Sequence, residues 1–338
     1  MTFCAEHQYI DRESRRPKTE ALFADRYVHL LYGPAREAAP ILFKAVTAPF
    51  FSKVLAYLNY DAPAGNPSGR TARIAARLGI DIEECLDKNS ALSSPRQLFE
   101  RKIRYWEKRP MPSHPGVVVS PADARVLVGS LAADSALFLK EKFFTFEELL
   151  GVGKATWQTI FRRGDYAVFR LTPEKYHYNH CPVSGRVLDV YTIDGACHSC
   201  NPGAVIVEAS PFSKNRRTVT IIDTDAAGGT GVGKVAMIEV TALMIGEIVQ
   251  CYSPRRYDDP QPVSPGPFLE RGQPKSLYRP GSSVDVLLFE PDRIDFSPDI
   301  LENLHRIDVC SRFAENFGRP LVETEVTVRS EIARKIQV

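Results

Sequence analysis

The chain has 338 residues, 44% of them hydrophobic and 25% charged. That composition suits a globular protein with a sizeable core and excludes a disordered, collagen-like or disulfide-miniprotein chain. Lys and Arg number 43 against 41 Asp and Glu, so bulk charge gives no reason to expect nucleic acid as a partner.

Residues 1–110 read as mostly helical. The opening segment is polar and charged, without the apolar stretch of a secretory leader. With seven cysteines at irregular spacing, it points to a reducing cytoplasm. Ala39 to Tyr60 is the most apolar part, and Pro49 is expected to break or kink it. Its second half places Phe50, Val54, Tyr57 and Leu58 on one helical face. That face either packs on the core or lies on a lipid surface. No stretch reaches the roughly 18 apolar residues of a spanning helix. Further helices are expected over Thr71 to Leu78 and Pro95 to Glu107.

At Arg109-Pro110-Met111-Pro112 the texture changes. Short β-like runs follow at 117–119, 126–128, 166–170, 187–191, 204–207, 218–222, 235–240 and 284–289, separated by Gly, Pro, Asn and Asp. Pro298 to Phe317 looks helical again, and Val322 to Val328 reads as an edge strand. The pattern is α+β: a helical N-terminal region of 1–110, then a β-rich region of 111–338.

Gly228 to Lys234 almost matches a phosphate-binding loop. Val235 stands where a hydroxyl should hold magnesium, and a strand follows where that motif needs a helix. A glycine-rich turn between strands is the better reading. His177-x-x-His180-Cys181 and Cys197-His198-Ser199-Cys200 have the ligand types of a zinc site but not a recognised spacing. The two histidines also suit proton transfer near neutral pH. Asp123 follows the 117–119 run in a turn, and matters chemically if it orients a histidine. Gly281-Ser282 precedes an apolar strand. A serine after glycine can attack the preceding carbonyl, because glycine permits the strained backbone this needs.

The order of these signals carries more than any one of them. Ser120-Pro121-Ala122-Asp123 comes first, then Arg170-Leu171-Thr172-Pro173 with Tyr176-His177 and His180. Asn201-Pro202, Phe212-x-x-Asn215-x-Arg217, Gly233 to Val240 with Met244-Ile245-Gly246, and Gly281-Ser282 follow. In this order, strongest from about 95 to 292, the chain resembles the phosphatidylserine decarboxylase family of self-processing pyruvoyl enzymes.

The resemblance implies that Ser282 becomes a covalent pyruvoyl cofactor. By carry-over His180 deprotonates Ser282, Asp123 orients His180, and His177 serves the decarboxylation step. Ser282 Oγ would attack the Gly281 carbonyl to give an ester. β-Elimination would release Gly281 as a carboxylate, and the dehydroalanine at 282 would hydrolyse to pyruvoyl and ammonia. The precursor becomes a β chain, 1–281, and an α chain, 282–338, which stay associated. The substrate amine then forms a Schiff base, and the pyruvoyl carbonyl accepts the electrons released with CO2.

The chain departs from the family at Ala124, Pro280, Ser283, Cys197 to Cys200 and Glu247. These changes leave the reaction type intact and the substrate open. Three readings follow. The first is conversion of phosphatidylserine to phosphatidylethanolamine and CO2, peripheral on the cytoplasmic membrane face, with residues 41–58 meeting an anionic lipid surface. The second is decarboxylation of a soluble amino acid, an aromatic one included. The third is an unprocessed, zinc-stabilised binding protein. Self-association as a homodimer stays open.

Overall fold

Apolar runs in the second half of the chain pair into one large sheet. The computed structural model describes residues 6–22, 25, 31–32, 39–61, 67–132, 145–208, 210–243, 247–280, 283–317 and 320–337. Its strands are β1 (Gln8–Asp11), β2 (Arg16–Thr19), β3 (Val117–Val119), β4 (Ala124–Ser130), β5 (Asp165–Leu171), β6 (Tyr178–His180), β7 (Gly185–Ile193) and β8 (Arg217–Asp223). They continue as β9 (Lys234–Thr241), β10 (Ile248–Gln250), β11 (Phe268–Leu269), β12 (Pro274–Tyr278), β13 (Ser283–Phe289), β14 (Ile294–Phe296), β15 (Thr324–Val326) and β16 (Glu331–Lys335). Ten of them form a sheet in the order β11-β7-β8-β9-β13-β5-β4-β15-β1-β2. Two three-stranded sheets, β10-β12-β6 and β14-β16-β3, accompany it. With the helices before, between and after these strands, the fold is α+β, as the sequence indicates.

β13 is the central element. All seven of its residues are buried, and it pairs antiparallel with β5 on one side and β9 on the other. Val284, Val286, Leu287, Leu288 and Phe289 explain its position, since burying each such side chain contributes about 1.5–3 kcal/mol. The glycine-rich segment 228–233 is the turn between β8 and β9, with Gly228, Gly231 and Gly233 at φ of 80°, 75° and 75°.

Four sequence expectations change. Residues 204–207 are not a strand but part of the helix Pro202–Val207. Pro202 fits its first turn, and the Asn201 side chain caps it by accepting from Gly203 N at 2.8 Å. The helical reading of the N-terminus misses the β1–β2 hairpin, whose first strand joins β15 in parallel. The final strand region is not an edge, because β15 lies between β4 and β1. The expected third helix is also interrupted: it forms as Pro95–Phe99 and Tyr105–Lys108.

Pro49 separates two helices, Pro40–Val46 and Pro49–Ala56, and a π-helical turn, Tyr57–Asp61, follows. The apolar face of this segment points to solvent, not to the core. Phe50 is 72% exposed, Tyr57 55% and Leu58 54%, and Ile41, Phe51 and Val54 are exposed beside them. A cluster of large exposed apolar side chains marks an interaction surface.

The N-terminal hairpin is held by buried charge. Arg170 in β5 donates to both Glu20 and Glu323, Arg125 pairs with Glu20 at 2.7 Å, and His7 Nε2 contacts Glu323 at 2.8 Å. Burial alone would raise the pKa of Glu20, but Arg170 overrides it and holds the carboxyl at about 2. Glu323 is lowered in the same way. Both folded pKa values lie below their unfolded ones. This contribution to stability is therefore complete above about pH 4.5 and is lost as pH falls towards 2. Replacing Arg170 with Leu leaves two buried carboxylates facing each other and should cost about 3–5 kcal/mol. Urea unfolding across pH 2–7 checks both statements, since the variant should lose this acid-sensitive component.

Candidate active site

The His-x-x-His segment is placed by β6, which pairs antiparallel with β12. Residues three apart on an extended strand point to opposite sides, so His177 and His180 enter different environments. His177 Nδ1 meets the Lys175 carbonyl at 2.7 Å. A carbonyl only accepts, so Nδ1 carries the proton and Nε2 holds a lone pair. That Nε2 is buried and has no partner among the described residues. The Phe99 ring covers the imidazole with a centroid separation of 3.6 Å. Burial, reinforced by Arg101, lowers the His177 pKa to about 3. Arg101 also braces the segment, donating to the Glu174 and Lys175 carbonyls at 3.0 and 3.1 Å.

His180 is engaged on both sides. Nδ1 donates to the Gly272 carbonyl at 2.9 Å, and Nε2 accepts from the Tyr176 hydroxyl at 3.0 Å. Tyr257 extends this network, 2.7 Å from the Tyr176 oxygen. Tyr105 packs edge-on against the imidazole. Burial lowers this pKa also to about 3.

No hydrogen bond joins Asp123 to His180 among the described residues. Its carboxylate is held by Arg109 in a fork, at 3.0 Å from Nε to Oδ1 and 2.7 Å from Nη2 to Oδ2, and accepts from Val328 N at 2.8 Å. Burial would raise its pKa, but Arg109 lowers it below the usual carboxylate range. Arg109 also binds Glu84 at 2.9 Å. The physical reason is competition: a guanidinium fork matches a carboxylate better than an imidazole N–H does. The turn carrying Asp123 does touch the histidine strand, since His180 N donates to the Pro121 carbonyl at 2.7 Å.

Gly281 and Ser282 lie outside the described residues, as do 244–246. Their neighbours are well placed. Tyr278, three positions before Gly281, donates its N–H to the His177 carbonyl at 3.1 Å. Ser283 begins β13 opposite Leu171 and Thr241. The Phe212-x-x-Asn215-x-Arg217 motif supports that corner. Asn215 donates to the Thr241 carbonyl at 2.7 Å, and Arg217 binds the Leu149, Ser213 and Asn215 carbonyls.

The histidines and Cys197 to Cys200 do not share a ligand set. His198 packs against Tyr32 and Phe43, while His177 and His180 have the partners given above. Among the described residues the one gathering of such groups is His7, Glu20 and Glu323, where Arg170 and Arg125 already supply the positive charge.

An apolar cavity of 270 Å³ opens beside Phe99. Tyr60, Ile74, Leu78 and Leu98 line it, and Arg70 and Arg77 contribute charge. The Tyr60 ring contacts Phe99, with a 5.7 Å centroid separation. The exposed Tyr57–Leu58 surface, this cavity and His177 are thereby linked through one short turn.

Sequence reasoning missed Phe99, Arg101, Arg109 as a partner of Asp123, and the role of Tyr176. Arg101 had no readable signal, because its role depends on a loop far along the chain. Tyr176 stands beside His177 in the motif, which carries no sign of its contact with His180.

A buried imidazole beside an apolar cavity is a setting in which proton-transfer residues are commonly found. Residues 96–315 match the sequence profile of the phosphatidylserine decarboxylase family. A phosphatidylserine decarboxylase proenzyme of Chlamydia pneumoniae is 29% identical over 298 residues, 88% of this chain and 91% of the relative. One from Chlamydia trachomatis serovar L2 is 33% identical over 242 residues, 71% of this chain and 74% of the relative. One from Fusobacterium nucleatum is 25% identical over 316 residues, 92% of this chain and 97% of the relative. The chain belongs to the phosphatidylserine decarboxylase family and is a carboxy-lyase.

Because both histidine pKa values fall from 6.5 to about 3 on folding, the unfolded state binds the extra protons first. Their contribution to stability is full above about pH 6.5 and is lost as pH falls towards 3. Nitrogen-15 NMR at pH 5 should therefore show both rings neutral, with protons on Nδ1. A protonated imidazolium at either position at that pH would contradict this site description.

Proposed function

We propose that the chain is a self-processing pyruvoyl enzyme that decarboxylates phosphatidylserine to phosphatidylethanolamine and CO2, peripheral on the cytoplasmic membrane face. One observation carries the lipid assignment: the exposed apolar surface of residues 41–58 runs through Tyr60 and Phe99 to the His177 imidazole. A lipid resting on that surface would reach the site without leaving an apolar environment. Arg70 and Arg77 at the cavity suit a phosphate.

The residues present fit a pyruvoyl group formed from Ser282. His177 Nε2 and the Ser283 hydroxyl are buried polar atoms without a partner among the described residues, as a polar group seated between β12 and β13 would require. Such a group supplies a carbonyl that accepts the electron pair released with CO2. The chain supplies the rest. His177 is neutral, so its Nε2 first takes a proton and can then return it from one defined side. His180 deprotonates Ser282 Oγ in this reading, which requires Tyr176 to release Nε2.

A second reading has its own support. The cavity is closer in size to one aromatic ring than to a pair of acyl chains, and its lining is apolar with arginines to meet a carboxylate. A free aromatic amino acid would fit there.

Denaturing intact-mass spectrometry tests self-processing. The wild-type chain should split between Gly281 and Ser282, with a pyruvoyl-blocked small chain, while Ser282→Ala stays whole. His180→Ala should also stay whole. His177→Ala should split yet lose at least about a hundredfold in CO2 release. Should His177→Ala remain uncut, the processing base is His177. Vesicle phosphatidylserine and free aromatic amino acids, offered separately, decide the substrate. Phe50→Asp with Phe51→Asp should weaken binding to anionic vesicles at least about tenfold and leave splitting intact. Undiminished vesicle binding would remove residues 41–58 as the membrane surface.

A further inference from the structure

Two acidic residues interrupt otherwise apolar runs: Glu239 in β9 and Asp285 in β13. They stand opposite each other on the antiparallel ladder, and both are fully buried. Adjacent buried carboxylates cannot both ionise cheaply. The hydrogen bonds show which one does. Glu239 Oε2 accepts from Lys275 Nζ at 2.7 Å and Gln250 Nε2 at 2.8 Å. Its Oε1 accepts from the Ser276 hydroxyl and, at 3.5 Å, from Asn179. Glu239 is therefore the anion and Lys275 its counter-ion.

Asp285 meets the Tyr278 hydroxyl at 2.7 Å through Oδ1, and its Oδ2 has no partner among the described residues. The same hydroxyl receives the Val240 N–H at 3.1 Å and reaches the Val284 carbonyl at 3.0 Å. A hydroxyl has one proton to donate and two lone pairs. Val284 can only accept and Val240 can only donate, so the one Tyr278 oxygen ties both segments together. Asp285 stands opposite the Glu239 anion, and the nearby Lys275 is engaged by Glu239, an arrangement that favours Asp285 as the neutral acid. Burial, and the charge of Glu239 after it, push the Asp285 pKa well above the carboxylate range. Nearby Asn179 directs its amide to Ser276 at 3.2 Å as well as to Glu239.

We propose that Tyr278 and a protonated Asp285 form a positioning brace for self-processing, locking together the chain on either side of the Gly281–Ser282 bond. The inference rests on the self-processing reading above. Tyr278 lies three positions before Gly281, and Asp285 three positions after Ser282. The N–H of Tyr278 is also tied to the His177 carbonyl. One hydroxyl therefore sets the separation of the two chain segments and their relation to the histidine strand. Its hydrogen bonds span the scissile peptide without using that peptide's own atoms, so the brace holds before the cut and after it.

Cell-free synthesis of the full chain, stopped and then sampled over time on denaturing gels, measures the rate of splitting. Tyr278→Phe and Asp285→Ala should slow it at least about tenfold, as expected when a buried hydrogen bond that positions reacting groups is removed. Asp285→Asn can still donate through its amide and should stay within about threefold of wild type. Thermal melts of the same samples identify folded variants. If Asp285→Ala fails to fold, Tyr278→Phe and Asp285→Asn decide the matter. Wild-type splitting rates in folded Tyr278→Phe overturn the brace. So does a folded Asp285→Asn that splits at least about tenfold more slowly than wild type, because the carboxyl would then be needed as an anion. A wild-type chain that stays whole, like the Ser282→Ala control, overturns the self-processing reading itself and the brace with it.

Discussion

The structure depends on β13 being paired along both edges. A strand between β5 and β9, buried on every residue, cannot shift register without turning Asp285 and five apolar side chains onto the wrong faces. Everything that approaches its first residue inherits that rigidity. β12 belongs to a different sheet, with β6 and β10. Between Tyr278 and Ser283 the chain therefore crosses from one sheet to another, over a span fixed at both ends. The histidine strand β6 lies on the near side of that crossing and Thr241 on the far side.

Around this frame the protein buries several charges and neutralises each by a different device. Glu20 and Glu323 face Arg170 and Arg125. Asp123 takes a guanidinium fork from Arg109. Glu239 takes Lys275, and Asp285 keeps its proton. Burying ions is expensive and adds little net stability when the pair is complete. Such pairs do penalise any arrangement that separates the partners. Here the partners come from distant parts of the chain, so each pair acts as a check that those parts have met correctly.

Much of this was readable from the residues. Strands β3, β4, β5, β7, β8, β9 and β13 announced themselves by apolar runs between turn residues, whereas the short β6, β10, β11 and β12 did not, and the order of motifs identified the family. Residues 204–207 were misread because an apolar tetrad has no period of its own. Asn201 and Pro202 just ahead of it were the helix-start signal. The β1–β2 hairpin was hidden for a different reason: β2, Arg-Pro-Lys-Thr, is wholly exposed, and what secures the hairpin is Arg170 and Glu323, far along the chain. The roles of Asp123 and His180 were inferred from sequence order, which says nothing about competing partners such as Arg109 and Tyr176. Glu239 and Asp285 did carry a signal. An acid inside a strand that is otherwise apolar must be paired or protonated.

The strands that follow Ser282 do not form a unit of their own. β13 lies between β5 and β9, β15 between β4 and β1, and β16 between β14 and β3. On the proposed route these strands become a separate polypeptide threaded through the larger one. The two pieces can part only by unzipping the sheet at several places. Once apart, they must find each other by diffusion, where the intact precursor had only to close a loop. Maturation would thereby convert a reversible folding equilibrium into a metastable assembly. Its endurance is then governed by the rate of opening and no longer by a free-energy difference.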